Sequence, residues 1–363
     1  MRIAMFGHKQ IPSRTGGVEV VVGELSARMA ALGHHVTCYN RGGKGKTGPW
    51  HAGVHLKTVP TLDRKGLAAV TSSFFAALAV AFSEAQVCHI HGEGPAFMSF
   101  LPKLFGKRVI VTVHGLDWQR EKWKSGIGAK YIRWGEQMAV RFADEIIVLS
   151  RSVQEYFRQY YGRATRFIPN GVTKPEKQPP QVITEMFGLR GGDYILYLGR
   201  LVPEKGVHDL IEAFAQLKTD KRLVIAGGSS DTDTYVRNLK KQAEGDSRIL
   251  FTGFVQGMLL EELCSNAYLY VLPSHLEGMP LSLLEAMSYG NCCVVSDIPE
   301  CAEVVEDHGV IFPKGDVKAL RDLLQDLCYD EEKTEQYRTR ASAFVCGKYN
   351  WDAVTQKTLE LYQ

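Results

Sequence analysis

Short apolar runs alternate with helix-length amphipathic segments in two successive series, and a Pro/Lys/Gln-rich stretch, Thr173 to Gln181, separates them. Strands spaced by helix-length segments pair in parallel, because a parallel connection needs a long crossover, so each series predicts a doubly wound α/β sheet. In the first series Ile3 to Phe6, Val36 to Tyr39, Val87 to Ile90, Val109 to Val113 and Ile146 to Leu149 read as buried strands. Val18, Val21, Val22, Leu25, Met29 and Leu32 recur at helical spacing between the first two, and Gly33 ends that helix. In the second series the strands are Tyr194 to Leu198, Leu223 to Ala226, Ile249 to Thr252, Tyr268 to Leu272 and Cys292 to Ser296. A chain of 363 residues exceeds the ordinary single-core limit. The expectation is therefore two Rossmann-like domains facing across a cleft: residues 1–173, residues 174–345, and a closing helix over 346–363 that packs back on the first.

Composition excludes several classes. Hydrophobic content of 45% and charged content of 23% are ordinary for a globular chain, so disorder and fibrous repeats are excluded. The amino-terminal run enters a strand without a long apolar segment, which predicts no signal peptide. The greasiest stretch, Leu67 to Phe82, holds 16 residues including Thr71, Ser72 and Ser73, which is short for a bilayer and suits a core helix. Eight cysteines without paired C-x-x-C spacing read as reduced thiols of a cytoplasmic protein.

The net charge of +3 conceals an asymmetry. Residues 1–173 carry 23 Lys and Arg against 11 Asp and Glu, net +12, while the remainder carries 20 against 29, net −9. A basic half implies an anionic partner. Arg120, Lys122, Lys124, Lys130 and Arg133 beside Trp118, Trp123 and Trp134 suit a lipid headgroup surface, which predicts peripheral attachment to the inner membrane face. No nucleic-acid motif accompanies the basic residues, so nucleic acid is not expected as a partner.

Four loops carry the candidate chemistry. After the first strand, Gly16 and Gly17 precede a helix, where a bare backbone admits close approach of phosphate or sugar oxygens. The G-x-G-x-x-G fingerprint is missing there, which argues against a dinucleotide cofactor. After the first strand of the second series, Arg200 and Lys205 place two cations beside a helix amino end, a trap for a diphosphate leaving group; a surface turn pairing Lys205 with Glu204 is the alternative. His114 follows the strand VIVTV and can donate to a sugar hydroxyl or move a proton, while His91, after an earlier strand, faces the acceptor side or serves as a structural hydrogen-bonder. In SHLEGMPLSLLEAMSYG, Glu277 lies on the entry loop and Glu285 inside a helix whose first turn Pro280 can occupy. No nucleophile triad, P-loop or H-E-x-x-H is present.

Together GGVE, FIPNGV, GRLVPEKG and EGMPLSLLEAMSYG resemble the retaining glycosyltransferases of family 4, which have the GT-B architecture, over nearly the whole chain. The resemblance implies that Arg200 and Lys205 hold the diphosphate of a nucleotide-sugar donor, that Glu285 binds its ribose, and that Glu277 contacts the transferred sugar. Gly278, Met279, Pro280 and Leu281 lie between these acids on the donor side. Gly16 and Gly17 close on the donor from the other domain, and His114 lies near the sugar. HGLDWQREKW also resembles a subgroup that builds bacterial surface polysaccharides, rhamnosyltransferase-like members included; where many of that subgroup carry Asp, this chain has His114. The implied reaction is metal-independent transfer with retention, without a cofactor, from a UDP-sugar, or a GDP- or dTDP-sugar, to a glycan or polyprenyl-diphosphate-linked acceptor. An epimerase or phosphorylase on the same fold, or a non-catalytic sugar-nucleotide-binding subunit, is the alternative.

Overall fold

The computed structural model describes residues 1–43, 48–64, 66–120, 126–230 and 232–363. The chain forms two compact units, one of Met1–Asn170 with Trp351–Gln363 and one of Gly171–Asn350.

Among the described residues, the first unit holds an eight-stranded sheet of β1 (Arg2–Phe6), β2 (His35–Arg41), β3 (Trp50–His51), β4 (Val54–Val59), β5 (Val87–His91), β6 (Arg108–Val113), β7 (Glu145–Val148) and β8 (Arg166–Phe167). Their order is β3-β4-β2-β1-β5-β6-β7-β8, parallel except for the β3–β4 hairpin. Covered on both faces, the central strands read as largely apolar runs; every residue of β5 is buried, its two histidines included. The second unit holds β9 (Tyr194–Leu198), β10 (Arg222–Ala226), β11 (Ile249–Gly253), β12 (Leu269–Leu272), β13 (Cys292–Ser296) and β14 (Val310–Phe312) in the order β11-β10-β9-β12-β13-β14, all parallel. These are two Rossmann-like doubly wound sheets. Strand order reverses between β1 and β5 in the first and between β9 and β12 in the second. At such switch points the helices of neighbouring strands depart to opposite faces, leaving a crevice at the carboxyl ends of the strands.

Three expectations from sequence need correction. The stretch Thr173 to Gln181 is not a free linker: the Gln178 N–H donates to Ser265 Oγ at 2.9 Å and Asn266 Nδ2 donates to the Gln178 carbonyl at 2.9 Å, so its backbone is bonded onto the second unit. Residues 346–348 end the helix Glu331–Lys348 of the second unit, and the closing helix spans Trp351–Glu360. Pro280 is not in the first helical turn but is the extended residue before the helix Leu281–Ser288. The strands β3, β4, β8 and β14 also escape the sequence reading: β3, β8 and β14 are two- or three-residue edge strands, and β4, between β3 and β2, exposes Lys57 and Thr58 and so loses the apolar run.

The closing helix is fastened within the first unit. Arg28 Nε donates to Asp352 Oδ1 at 2.9 Å, Arg108 Nε donates to the Leu361 carbonyl at 2.7 Å, and the buried Tyr362 hydroxyl meets His89 Nδ1 at 2.6 Å. The helix Leu67–Ala81 satisfies its buried hydroxyls internally, with Ser72 and Ser73 donating to the Ala69 carbonyl. Among the described residues no helix is long and apolar enough to cross a membrane. All eight cysteines are free, and burial pushes the thiols of Cys38 and Cys292 up to about 12.

Candidate active site

Gly16 and Gly17 follow β1 and His91 ends β5, the strands that flank the first unit's switch point; His114 follows β6 one strand further out, and the donor-side residues follow β9 and β12 at the switch point of the second unit. In the second unit Arg200 and Lys205 follow β9, and Glu277 follows its neighbour β12. Gly206 makes this approach possible. Its φ of +63° lies in the left-handed region, and a Cβ there would stand 2.0 Å from the Pro273 carbonyl oxygen. No other residue lets the two loops lie this close. They are then joined by backbone, the His275 N–H donating to the Glu204 carbonyl at 2.8 Å.

Side chains complete the joint. Lys205 Nζ donates to Glu277 Oε1, and Ser274 Oγ donates to the same oxygen at 2.7 Å. The two charged side chains are 12% and 7% exposed, so this is a nearly desolvated pair and not a surface turn; the partner is Glu277 and not the adjacent Glu204. Ser274 is itself fixed, its carbonyl accepting from the buried Ser296 hydroxyl of β13. Gly278, Met279 and Pro280 are buried, and Leu281 and Glu285 are half-buried on the helix that follows. Tyr270 in β12 donates its hydroxyl to Ser282 at 2.9 Å, seating the first turn of that helix. The arrangement brings one cation, one carboxylate and a helix amino end to a sheet edge, with Arg200 half-buried on the β9 loop.

In the first unit, Gly16 precedes the helix Gly17–Ala31 in an extended conformation. The buried Glu19 of that helix accepts the Lys9 N–H at 2.8 Å, tying the loop down. His91 ends β5, and its Nδ1 lies 3.1 Å from Nε2 of His114, which follows β6. Burial lowers His114 to about 4 and drives His91 well below the ordinary imidazole range. Both are neutral at physiological pH, so they can exchange hydrogen bonds with a hydroxyl but bring no positive charge. His91 Nε2 is buried and has no partner among the described residues.

Sequence reasoning missed the groups behind this pair. His89 stands two residues from His91 on the same side of β5, and its ring is held at both nitrogens by Thr112 Oγ1 at 2.7 Å and the Tyr362 hydroxyl. The spacing H-x-H at the end of a buried strand was the available signal. His8, lowered to about 4 by burial, bonds Asn40 Oδ1 at 2.9 Å. Glu93 and Glu136 are fully buried; Glu93 accepts the Asp117 N–H at 2.8 Å, while Glu136 accepts the hydroxyls of Tyr156 and Tyr161. Burial first, then Asp117 and Glu136 nearby, pushes Glu93 well above the usual carboxylate range.

On the expected membrane side, Arg120 pairs with Asp117 at 2.9 Å, and Trp118 lies beneath the Arg133 guanidinium at 4.4 Å from the ring centre. Trp118 is thus half-buried and structural in its contacts. Lys122, Trp123 and Lys124 lie outside the described residues. Ile127, Lys130, Arg133 and Trp134 are exposed on the helix Ile127–Phe142.

Residues 15–174 match the family described as Glycosyltransferase Family 4, and residues 188–344 match Glycosyl transferases group 1. Alpha-maltose-1-phosphate synthase of Mycolicibacterium smegmatis is 25% identical over 391 aligned positions, covering 100% of this chain and 99% of that protein. Among solved structures, sucrose-phosphate synthase from Thermosynechococcus elongatus superposes with a TM-score of 0.87 at 22% identity, covering 99% of this chain and 98% of that one. HepE of Anabaena, solved with UDP and glucose, gives a TM-score of 0.83 at 19% identity with the same coverages. The first unit therefore carries a glycosyltransferase family 4 domain and the second a glycosyl transferases group 1 domain, in the two-Rossmann GT-B architecture of a glycosyltransferase.

Proposed function

We propose that this glycosyltransferase moves a sugar from a nucleoside diphosphate to a glycan or polyprenyl-diphosphate-linked acceptor, with retention of configuration, in bacterial surface polysaccharide synthesis. The observation that carries the reading is the desolvated Lys205–Glu277 pair at the second switch point, with Arg200 on the same loop. Arg200 and Lys205 balance the charge that grows on the departing diphosphate, the helix Leu281–Ser288 adds its amino-end dipole, and Glu285 takes the ribose hydroxyls. Glu277 is anchored by Lys205 and Ser274 where a transferred sugar would present its hydroxyls. His114, neutral and backed by His91, accepts or donates one hydrogen bond to that sugar. The diphosphate oxygen takes the acceptor proton, so the protein needs no nucleophile, and the two cations supply the charge that a metal otherwise would. HepE, alike in fold, was solved with UDP, which puts UDP first among the bases to test.

Retention is checked by the anomeric coupling of the isolated product in NMR. The expected product keeps the anomeric configuration of the donor; an inverted product would overturn the front-face course.

The basic first unit also exposes apolar surface. Leu67, Phe74 and Phe75 stand out from the helix Leu67–Ala81, and the exposed Phe82 packs edge-on against Phe105 at 4.7 Å beside Leu104. Apolar side chains on a domain of positive charge fit an anionic bilayer surface. The protein is expected to co-sediment with anionic vesicles at low salt and to be released as salt screens the attraction; failure to sediment with them would remove the membrane from the account.

A further inference from the structure

We propose that His208, Asp209 and His275 form a transition-metal site, for which Zn²⁺ is the best-fitting ion, and that the metal clamps the two loops carrying Lys205 and Glu277. His208 and Asp209 open the helix Val207–Ala215, directly after the Lys205 loop, and His275 lies two residues before Glu277. One ligand atom from each of the three lies within 4.8 Å of the others. His275 Nε2 is 2.6 Å from Asp209 Oδ2, and His208 Nε2 is 3.4 Å from Asp209 Oδ1.

Four observations point to a metal. Two imidazoles and one carboxylate make a donor set that suits zinc, copper, nickel or iron and not magnesium or calcium, which prefer oxygen shells. Asp209 is a largely buried carboxylate whose ionic partners among the described residues are the two imidazoles, with no Lys or Arg opposite it. His208 Nδ1 is held by the Tyr235 hydroxyl at 2.8 Å, an outer contact of the kind that fixes a ligating imidazole's tautomer; with Nδ1–H donated to that oxygen, Nε2 presents its lone pair toward Asp209. The imidazoles are 40% and 33% exposed, so an ion can enter and the rings can turn inward to metal–ligand distances of about 2.0–2.2 Å, leaving the fourth position to water.

Binding is a change of tautomer and not of oxidation state. The proton that His275 Nε2 now donates to Asp209 Oδ2 passes through solvent to His275 Nδ1, so that both Nε2 lone pairs and a carboxylate oxygen turn to the ion with no net proton lost. The clamp joins the same loops that the His275 N–H to Glu204 bond already ties, so occupancy stiffens the Lys205–Glu277 pair without entering the transfer chemistry. The proposal does not depend on the sugar-transfer reading, because binding is measured without donor or turnover.

The test is calorimetric titration of chelator-treated full-length protein with ZnCl₂, with zinc content measured after dialysis, for the wild type, His208→Gln and His275→Gln. The expected result is one zinc per wild-type chain, affinity at least about tenfold weaker in each variant as for loss of one ligand, and a zinc-dependent rise in Tm of order 5 °C seen in the wild type alone. Co²⁺ in place of zinc should give the visible absorption of a four-coordinate site. His208 is partly exposed, so its variant keeps the fold and shows an unchanged metal-free circular dichroism spectrum. Absence of zinc binding by the wild type, or zinc binding as tight in the two variants as in the wild type, would overturn the proposal.

Discussion

Lys205→Ala is expected to damage both stability and turnover, and by different routes. Lys205 and Glu277 are 12% and 7% exposed, and removing the cation leaves the Glu277 carboxylate with Ser274 as its remaining hydrogen-bond donor among the described contacts. Breaking a buried pair from one side costs about 3–5 kcal/mol, because the surviving charge stays desolvated. Removing both partners costs less, so Lys205→Met with Glu277→Gln should recover most of the stability lost by the single variant. Activity should not recover with it. A cation aimed at a developing diphosphate accounts for about 10²–10³ in kcat, and neither variant has one at this position. Lys205→Arg keeps the charge but replaces a compact ammonium by a planar fork, and should fall between wild type and alanine. Urea denaturation combined with turnover of the bound donor separates the effects; a Lys205→Ala protein as stable and as active as the wild type would remove the pair from both roles.

Acid should unfold the first unit before the second. His8 and His114 are lowered from 6.5 to about 4, His89 to about 3, and His91 well below the ordinary range, each chiefly by burial. A base whose folded pKa is depressed binds fewer protons folded than unfolded at every pH between the two values. Stability is therefore intact above about pH 6.5 and falls as pH drops toward 4, by about 2 kcal/mol per imidazole at pH 5 before coupling among them. Glu93 works the other way. Its raised pKa keeps the proton on in the folded state, so its contribution is present at acid pH and is lost as pH rises out of the ordinary carboxylate range. Four imidazoles against one carboxyl leave acid destabilisation dominant. Because Trp50, Trp118, Trp123, Trp134 and Trp351 all fall within the residue ranges of the first unit, tryptophan fluorescence follows that unit alone. The urea midpoint read this way should drop clearly from pH 7 to pH 5, and His8→Gln should make the drop shallower; an unchanged midpoint would contradict the burial argument.

The fold was legible wherever burial is two-sided. β1, β6, β9, β10, β12 and β13 are mostly apolar runs, β5 is a buried run interrupted by His89 and His91, and their spacing alone implies two parallel sheets. β4 was not legible: in VHLKTV two consecutive residues, Lys57 and Thr58, are exposed, which breaks both the run and the alternation. β14 has three residues, one of them exposed, and carries too little pattern to read.

In the candidate site, the loops and their residues were readable from the motifs, but their bonding was not. Lys205 had an acid beside it in sequence and chose another 72 residues away, because Gly206 lets the β12 loop come within reach. The buried polar network of the first unit was hidden for a related reason. Nothing in the sequence marks Glu93 and Glu136 as buried, and the close approach of their elements depends on Gly135 having no side chain: a Cβ there would stand 1.9 Å from the Glu93 carbonyl oxygen. The His208–Asp209–His275 cluster likewise joins positions that only the switch point brings together.

The most direct test of the account is calorimetric titration of the purified chain with UDP, GDP, dTDP and ADP, repeated with Arg200→Ala and Glu285→Ala. The account predicts that one of the four binds clearly best, that Arg200→Ala weakens it at least about tenfold as a lost charge-assisted contact to the diphosphate, and that Glu285→Ala weakens it through the ribose. Binding of none of the four, or binding that both variants leave unchanged, would contradict the assignment of the second unit's switch point as a nucleotide-sugar site.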